Sequence, residues 1–239
     1  MSPLLANVAL SVLDEHYRAA WGSDNQRRQR RKHGLPNWRL VRYADDFVVL
    51  VHGERAPAEA LRSEVAGVLA QIGLRLSDAK TRVVSFEDGF DFLGWRIQRH
   101  RKKGADRSYV YTYPSAKALA SVVGKIRAAT HKNAYRQLST LLIRVNQILR
   151  GWAFYFRHGV SFSVFSYLRA FTWRRIAYWI KKLHKGLSWK KLLRRAFTGT
   201  TKREITAAGV TLFDPASIPI RRYRYRGAKI PNPWAAHIA

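Results

Sequence analysis

Apolar positions recur every three or four residues in two stretches of the first hundred residues, which predicts two amphipathic helices. The first covers residues 4–21, where the spaced apolar positions are Leu5, Val8, Val12, Leu13 and Tyr17. The second covers residues 57–72, where they are Leu61, Val65, Val68, Leu69 and Ile72. Gly73 follows the second stretch at the position that favours a helix C-cap.

Two β-prone runs lie between the predicted helices. They cover residues 40–44 and 47–51, and Asp45 and Asp46 separate them. This pattern predicts a β-hairpin whose tip carries two carboxylates. Residues 27–36 precede the hairpin with five basic side chains and end near glycine and proline, which predicts an exposed basic loop.

Shorter strands are predicted at residues 82–86, 91–98 and 110–113, where β-prone residues alternate between polar segments. Two helices over one face of a small antiparallel sheet would bury both apolar stripes. Residues 1–113 are therefore predicted to form one α+β domain.

Helical periodicity dominates beyond Pro114. Helices are predicted at residues 116–130, 134–156, 164–183 and 189–197. Ser115 and Asn133 stand where N-caps are favoured. Residues 114–239 are therefore predicted to form an all-α domain that ends in an irregular basic tail.

The charge of the chain is divided very unevenly. The 239 residues carry 44 Lys and Arg against 15 Asp and Glu, a formal net charge of +29. Residues 1–100 contain 15 basic and 12 acidic side chains (net +3), whereas residues 101–239 contain 29 and 3 (net +26). Such an excess repels itself unless a polyanion neutralises it. The C-terminal domain is therefore expected to bind nucleic acid.

Two absences in the sequence narrow the classes of protein. The chain has no cysteine, which excludes disulfides, thiolate metal sites and a cysteine nucleophile. No stretch approaches 18 consecutive apolar residues, so neither a membrane span nor a membrane partner is predicted. A reducing cytoplasm fits this composition, and the basic charge is typical of a protein that works in a nucleoprotein complex.

The adjacent carboxylates of Asp45 and Asp46 are the first candidates for chemistry. Neighbouring negative charges repel each other unless a cation neutralises them. Oxygen ligands without Cys or His beside them favour a hard ion such as Mg²⁺, which polymerases use in pairs. A solvated turn is the alternative, since Asp favours turns for local reasons.

The residues around this pair resemble the motifs of reverse transcriptases. Residues 42–47, Arg-Tyr-Ala-Asp-Asp-Phe, resemble the Tyr-x-Asp-Asp catalytic hairpin, and residues 2–7, Ser-Pro-Leu-Leu-Ala-Asn, look like the end of the preceding motif. Leu76 with Lys80-Thr81 looks like the following lysine motif, and Phe92-Leu93-Gly94 resembles the primer-grip strand. Four motifs in family order imply a partial reverse-transcriptase palm, with helices on a small antiparallel sheet.

The resemblance implies a role for each matched residue. Asp45 would be a ligand of the catalytic Mg²⁺ ions, and Asp46 would assist nearby as a second carboxylate. Tyr43 would lie against the primer end or the incoming nucleotide, and Asn7 near the nucleotide pocket. Lys80 would donate a proton to the leaving pyrophosphate, although an exposed, merely solvated lysine is the alternative. Support of the primer backbone is implied for Phe92, Leu93 and Gly94.

A second resemblance covers the basic half of the chain. Residues 144–156, which begin Arg-Val-Asn-Gln and contain Gly-Trp, are similar to the maturase-specific domain, domain X, of group II intron-encoded reverse transcriptases. The resemblance implies a thumb that binds group II intron RNA and promotes its splicing. Large aromatics in this half are expected to pack in its core: Trp152, Phe171 and Trp179. Cations beside the aromatics are predicted to contact RNA: Arg174, Arg175, Lys181, Lys182, Lys190 and Lys191.

One departure from the family affects the expected activity. Family members hold a third metal-binding Asp and the fingers upstream of the Ser-Pro motif, whereas Met1 stands directly before Ser2 here. We therefore expect the C-terminal portion of a reverse transcriptase, from a truncated or split reading frame. To act on a DNA primer or target it would need the missing N-terminal half, which a split frame would encode separately. The alternatives are a non-catalytic RNA-binding maturase remnant and a portion of another reverse-transcriptase class.

Overall fold

The computed structural model describes residues 3–102, 104, 106–131, 137–184, 186, 188, 191 and 204–221. It contains two compact units. The first comprises Met1–Leu93 with Ile97–Val110, and the second comprises Gly94–Arg96 with Tyr111–Ala239. Each unit has a hydrophobic core of its own.

The first unit contains both predicted helices and the predicted hairpin. Its elements up to residue 70 are, in chain order, α1 (Pro3–Trp21), α2 (Asp24–Lys32), β1 (Asn37–Tyr43), β2 (Asp46–His52) and α3 (Arg55–Ala70). The core lies between α1, α3 and one face of the hairpin, and Leu13, Val65 and Leu69 are among its most buried members. This arrangement confirms the expected burial of Leu61, Val65, Val68 and Leu69, whereas Ile72 lies beyond the end of α3 and is 39% exposed.

The first turns of α1 differ from the sequence prediction. Leu5 and Val8 were expected in the buried stripe, but they are 61% and 64% exposed, whereas Leu10, Leu13 and Tyr17 are buried. Within the described part of this unit, the elements packed on α1 are chiefly α3 and β1, and their contacts bury only its later turns. The spacing of apolar residues therefore predicted the helix correctly, but it did not predict which of its turns are buried.

The pairing of β1 with β2 decides which hairpin side chains face the helices. The strands are antiparallel, with Leu40 opposite Val49 and Tyr43 opposite Asp46. Because side chains alternate between the two faces of a strand, Leu40 and Val49 pack on the helical core while Tyr43 lies on the other face, 66% exposed. The acidic end of the hairpin therefore points Tyr43 and Asp46 away from the core of this unit.

The segment predicted as a basic loop is a helix, so that prediction is wrong. Ser23 and Gln26 form a capping box around the first turn of α2, with the Ser23 amide donating to Gln26 Oε1 at 2.7 Å. The Gln26 amide donates in return to Ser23 Oγ at 3.3 Å. A capping box satisfies backbone donors that a helix start leaves unpaired, and it outweighs the absence of an apolar stripe.

Two of the later strand predictions also need correction. Strands β3 (Phe90–Phe92), β4 (Trp95–Arg101) and β5 (Ser108–Pro114) form a sheet in that order. The predicted strand at 91–98 is broken by Leu93 and Gly94, whose φ angles of 49° and 79° are typical of a two-residue I′ turn. No strand forms at 82–86, because the segment leads into a turn in which the Gly89 amide donates to the Ser85 carbonyl at 3.0 Å.

The second unit consists mainly of helices. They are α4 (Ala116–Ala129), α5 (Leu138–Phe156) and α6 (Phe162–Leu183), followed by the short strands β6 (Thr206–Ala207) and β7 (Val210–Thr211) and a 3₁₀ turn at Pro215–Ser217. The predicted N-cap of α4 is confirmed, since Ser115 Oγ accepts from the Ala118 amide at 3.2 Å. Asn133 lies outside the described residues, and only residue 191 of the predicted helix at 189–197 is described.

The core of this unit is formed where α4, α5 and α6 meet. Val145, Leu168 and Ile176 are fully buried, and Trp179 is 3% exposed. Trp152 and Phe171 pack against the same cluster from partly buried positions. The three aromatic residues predicted for the core, Trp152, Phe171 and Trp179, therefore pack there, as expected from their size.

Asn146 attaches the strand pair β6–β7 to α5. Its Nδ2 donates to the Thr211 carbonyl and its Oδ1 accepts from the Phe213 amide, both at 2.8 Å. Asn146 is only 8% exposed, so its amide is satisfied inside the protein. One polar residue of the Arg-Val-Asn-Gln motif therefore has a structural role, and the strands that it holds were not predicted from the sequence.

Gly159 lies where the backbone passes directly over Trp95. A Cβ at this position would stand 2.2 Å from Trp95 Cζ3 and 2.6 Å from the Thr112 carbonyl oxygen. The adjacent Val160 amide donates to that same carbonyl at 2.7 Å. This turn after α5 is therefore compatible with glycine and with little else.

The described elements are helices with small antiparallel sheets, so the α+β class is confirmed. Within the ranges given above, no helix has the length and apolar character needed to cross a lipid bilayer.

Tyr17 provides a test of the first core. Its ring is 4% exposed, and its hydroxyl has no hydrogen-bond partner among the described residues. Burial, with a smaller contribution from Glu64, raises the pKa of this phenol well above its usual value.

We expect Tyr17→Phe to match or exceed the parent in free energy of unfolding at pH 8, because the variant removes an unsatisfied buried group. Above about pH 10 the unfolded tyrosine ionises before the folded one, so the parent should lose stability faster than the variant. Urea unfolding at pH 8 and pH 11 measures both effects. Equal alkaline losses in the two proteins would contradict this account.

Candidate catalytic hairpin and nucleic-acid interface

The turn of the hairpin consists of Ala44 and Asp45. Asp46 is already the first residue of β2, paired with Tyr43, so the expectation that both aspartates form the tip is wrong by one residue. Ala44 has a φ of 52°, in the left-handed region that side chains disfavour. Two-residue hairpin turns require this sign at the first central position. The strained backbone conformation of Ala44 therefore allows the chain to reverse direction beside Asp45.

Arg42 fixes this turn to α1. Its Nη1 donates to the Ala44 carbonyl at 3.0 Å and to Asn7 Oδ1 at 2.9 Å. Its Nε donates to Asp14 Oδ2 at 3.0 Å, and Nη2 forms an ion pair with the same oxygen. The side chain of Arg42 is 13% exposed and that of Asp14 is 32% exposed, so water screens the pair only partly. One guanidinium therefore joins two helix residues to the peptide next to Asp45.

The sequence analysis missed the Arg42–Asp14 pair. The two residues are 28 positions apart, beyond the reach of any local motif. The available signal was strand parity: Arg42 stands two residues after Leu40, which places a charge on the buried face of β1. A charge in that position needs a partner, and the facing helix supplies it.

Asp45 and Asp46 are both exposed, and in the described part of the chain no ion pair or hydrogen bond engages either carboxylate. Two adjacent oxygen donors of this kind fit part of a site for a hard divalent cation. A group of three or more His, Cys, Asp or Glu placed to hold a metal is not found among the described residues.

The other predicted catalytic and primer residues lie at different places in the fold. Asn7 is on α1 and reaches the turn through Arg42. Lys80 is exposed in a turn closed by its own amide and the Ser77 carbonyl at 3.0 Å. In the described residues no hydrogen bond or ion pair connects Lys80 with the hairpin turn. The three proposed primer-contact residues form the end of β3 and the following turn: Phe92, Leu93 and Gly94.

The predicted RNA-contact residues differ in how exposed their side chains are. Arg174, Lys181 and Lys182 are exposed on α6. Arg175 is half-buried, and its Nε donates at 3.0 Å to the hydroxyl of Thr130, the C-cap residue of α4. Arg175 therefore holds two helices together in addition to any contact it makes with a ligand. Lys191 is exposed, and Lys190 lies outside the described residues.

Exposed tyrosines on the same face of α6 were not identified from the sequence. Tyr167 and Tyr178 are 44% and 57% exposed. Tyr167 stacks on Phe171 with ring centroids 5.9 Å apart and an interplanar angle of 20°. Successive spacings of three or four residues place five side chains on one face of this helix: Tyr167, Phe171, Arg174, Tyr178 and Lys182. That spacing could have been found in the sequence.

Comparison with known proteins agrees with this arrangement of elements. Residues 1–97 match the family described as "Reverse transcriptase (RNA-dependent DNA polymerase)", and residues 119–197 match "Group II intron, maturase-specific domain". A reverse-transcriptase region followed by a maturase-specific domain defines the chain as an intron-type reverse transcriptase/maturase. It belongs to the group II intron reverse transcriptase/maturase family, as the motifs predicted.

Two curated proteins are similar to parts of the chain. Protein YkfC of Escherichia coli (strain K12) is 34% identical over 151 residues, which cover 53% of this chain and 40% of YkfC. An uncharacterized 91 kDa protein in the cob intron of Schizosaccharomyces pombe is 31% identical over 80 residues, covering 32% of this chain and 10% of that protein. The chain therefore spans less than half the length of either relative.

Removal of the Arg42 guanidinium should loosen the hairpin. Arg42→Met leaves the Asp14 carboxylate, the Asn7 amide and the Ala44 carbonyl without their shared donor. Loss of hydrogen bonds to a charged group costs roughly 1.5–3 kcal/mol. We expect the opening free energy of residues 37–52 to fall by about this amount, measured by amide hydrogen exchange.

Arg55→Met is the matched control, because Arg55 pairs with Glu59 where both side chains are largely exposed, at 77% and 54%. Solvent-exposed pairs of this kind contribute little. An Arg42 variant that exchanges no faster than the Arg55 variant would refute the anchoring role.

Proposed function

We propose that the chain is the C-terminal portion of a group II intron reverse transcriptase/maturase, which contributes Asp45 and Asp46 to RNA-directed DNA synthesis and binds the intron RNA through its second unit. The observation that carries the proposal is the exposed carboxylate turn on a unit that matches the reverse-transcriptase family, followed by a basic maturase-specific domain. In our proposal residues 1–113 are the end of the palm, and residues 114–239 are the thumb.

The proposed catalytic role rests on the position of the hairpin turn. Asp45 belongs to a strained two-residue turn that Arg42 connects to α1. The backbone that carries its carboxylate is therefore held in position. Pre-positioned charge stabilises a transition state without reorganisation during the reaction. Tyr43 and Asp46 face the same side, where they would border the primer end.

Asp45 and Asp46 would hold a divalent cation, Mg²⁺ in our proposal, together with residues outside the described chain. When bound, the cation supplies positive charge at the reacting phosphate. Asp45 is the ligand, and Asp46 supports it as a second oxygen donor. Lys80 is proposed as the proton donor to the leaving pyrophosphate, supported by its match to the lysine motif and its exposure.

The proposed RNA interface is the outward face of α6. Arg174, Lys181 and Lys182 supply cations, and Tyr167 and Tyr178 present aromatic rings beside them. Cations neutralise phosphates and release counterions, whereas exposed rings stack on unpaired bases. The face therefore suits a folded RNA with single-stranded elements, such as an intron whose splicing-competent form the protein would stabilise.

A second candidate function is RNA binding without catalysis. The net charge of +26 on residues 101–239 favours it, since that charge alone accounts for strong binding to a polyanion. The two candidates differ in whether DNA synthesis depends on Asp45.

The RNA-binding part is tested with a triple variant of α6: Arg174→Gln, Lys181→Gln and Lys182→Gln. The control triple carries the same residue types at exposed positions of the same unit: Arg144→Gln, Lys117→Gln and Lys125→Gln. Each lost phosphate contact lowers the salt slope of log K by about one. We expect the α6 triple to lower that slope by about three in filter binding to a structured intron RNA, and the control to lower it less. Equal slopes would remove α6 from the interface.

The catalytic part is tested by joining the chain with the upstream reverse-transcriptase portion of a relative, covalently or in trans. We expect primer extension on RNA to appear, to be abolished by Asp45→Asn, and to be reduced by Lys80→Ala by roughly 10²–10⁴-fold, the range typical of general acid catalysis. Glu54→Gln alters another exposed carboxylate and should have no effect. Single-turnover extension at saturating RNA measures the rates, and full activity of Asp45→Asn would leave only the RNA-binding function.

A further inference from the structure

Helix α2 concentrates the positive charge of the reverse-transcriptase region. Its nine residues contain five basic side chains and one acidic side chain, a net charge of +4. Residues 1–100 contain 15 basic and 12 acidic side chains, so without α2 they would contain 10 and 11, a net charge of −1. The whole positive excess of this region therefore lies on one short helix.

This helix has no apolar face to hold it in place. Its sequence is Asp-Asn-Gln-Arg-Arg-Gln-Arg-Arg-Lys, and none of its residues is buried. A free helix of nine residues is not stable in water, because nucleation is too costly for so few hydrogen bonds. Specific contacts must therefore keep α2 folded.

Two arginines provide these contacts by turning back onto tryptophans. The Arg27 guanidinium lies 4.3 Å from the centroid of the Trp21 ring and donates to the Gly22 carbonyl at 2.6 Å. The Arg30 guanidinium lies 5.0 Å from the centroid of the Trp38 ring. Cation–π contacts of this kind stabilise by about 0.5–1 kcal/mol at exposed sites and more where water is excluded.

A buried amide adds a further attachment. Asn37, at the start of β1, is 8% exposed, and its Nδ2 donates to the Arg27 carbonyl at 3.0 Å. Together with the Ser23–Gln26 capping box, these contacts fix both the position and the rotation of the helix. The cations that do not serve as attachments are therefore held at defined positions.

Arg28, Arg31 and Lys32 are the exposed cations that remain. They are spaced at i, i+3 and i+4, which places them on one face of the helix. All three are exposed, and no ion pair to any of them is found in the described part of the chain. Like charges at this spacing destabilise a helix, so the arrangement favours a bound polyanion.

The composition of α2 indicates which class of partner it binds: a protein, a membrane surface or a nucleic acid. A protein interface has an apolar centre, and a membrane-surface helix needs an apolar face. Helix α2 has neither, since all of its residues are polar or charged. Arginine, lysine and glutamine without apolar or aromatic residues are instead typical of contacts with a phosphate backbone.

We propose that the outward face of α2, formed by Arg28, Arg31 and Lys32, is a second nucleic-acid contact of this protein, and that it binds the phosphate backbone of folded RNA. The identity of the polyanion rests on the proposed function, whereas the site itself rests on the geometry of α2. The contact reads no sequence, and it attaches the reverse-transcriptase region to the same RNA that α6 binds.

The test uses the full chain with Arg28→Gln, Arg31→Gln and Lys32→Gln combined. Glutamine keeps the helix propensity, and far-UV circular dichroism checks that helix content is unchanged. The control triple removes the same residue types from exposed positions of the same unit: Arg75→Gln, Arg82→Gln and Lys102→Gln. Both variants carry a formal charge of +26, that is +29 minus 3, so general electrostatics are matched.

We expect the α2 triple to lower the salt slope of intron-RNA binding by about three, and the control triple to lower it by clearly less. A duplex DNA of the same length is the second arm, and a larger effect of the α2 triple on RNA supports RNA as the partner. A larger effect on DNA would overturn the RNA assignment.

A second measurement locates the contact directly. We expect bound RNA to protect Lys32 from acetylation in the parent protein, while Lys102 stays reactive, as quantified by mass spectrometry. Unprotected Lys32, or equal salt slopes for the two triple variants, would overturn the α2 site even where the parent binds RNA and the α6 variant is impaired. Failure of the parent to bind RNA at all would instead refute the proposed function.

Discussion

The guanidinium of Arg42 is the contact on which the arrangement of the candidate catalytic hairpin depends. It stands at the end of a strand face that is otherwise apolar, and it reaches Asp14 and Asn7 on α1 and the Ala44 carbonyl in the turn. A hairpin of two strands is marginal by itself. Packing on α1 and α3 secures the strands, and this charged contact reaches the turn that carries Asp45.

Positive charge is distributed differently in the two parts of the chain. In the second unit, cations are distributed over the helices, and some of them have structural roles, as Arg175 does with Thr130. Within residues 1–100, 11 acidic side chains offset the 10 cations that lie outside α2, so the positive excess is confined to that helix. Arg27 and Arg30 attach the helix to the rest of the protein because their guanidinium groups stack on tryptophan rings. The planar guanidinium of arginine suits this contact better than the ammonium group of lysine.

The features that could be predicted from the sequence are those with a local cause. The helices α1, α3, α4 and α6 follow from apolar spacing, and the cap at Ser115 follows from residue type. Helix α2 also has a local signal, the Ser23–Gln26 capping box, but its five basic residues and its lack of an apolar stripe predicted a loop instead.

Features that depend on distant residues could not be predicted. The Arg42–Asp14 pair spans 28 positions, and the clamp of Asn146 on Thr211 spans 65. The break at Leu93 required a leucine at positive φ, which residue preferences argue against. The Tyr-Ala-Asp-Asp sequence could thus be recognised in the chain, whereas the contacts that hold it in place could not be predicted.

The contact between Gly159 and Trp95 has an evolutionary consequence. The space above the indole ring leaves no room for a Cβ at residue 159, which would stand 2.2 Å from the ring. The same Cβ would stand 2.6 Å from the Thr112 carbonyl oxygen, a backbone atom that no substitution at position 95 removes. A smaller residue at 95 therefore does not by itself admit a side chain at 159. Homologous sequences that keep this turn should accordingly keep glycine at position 159, even where position 95 varies.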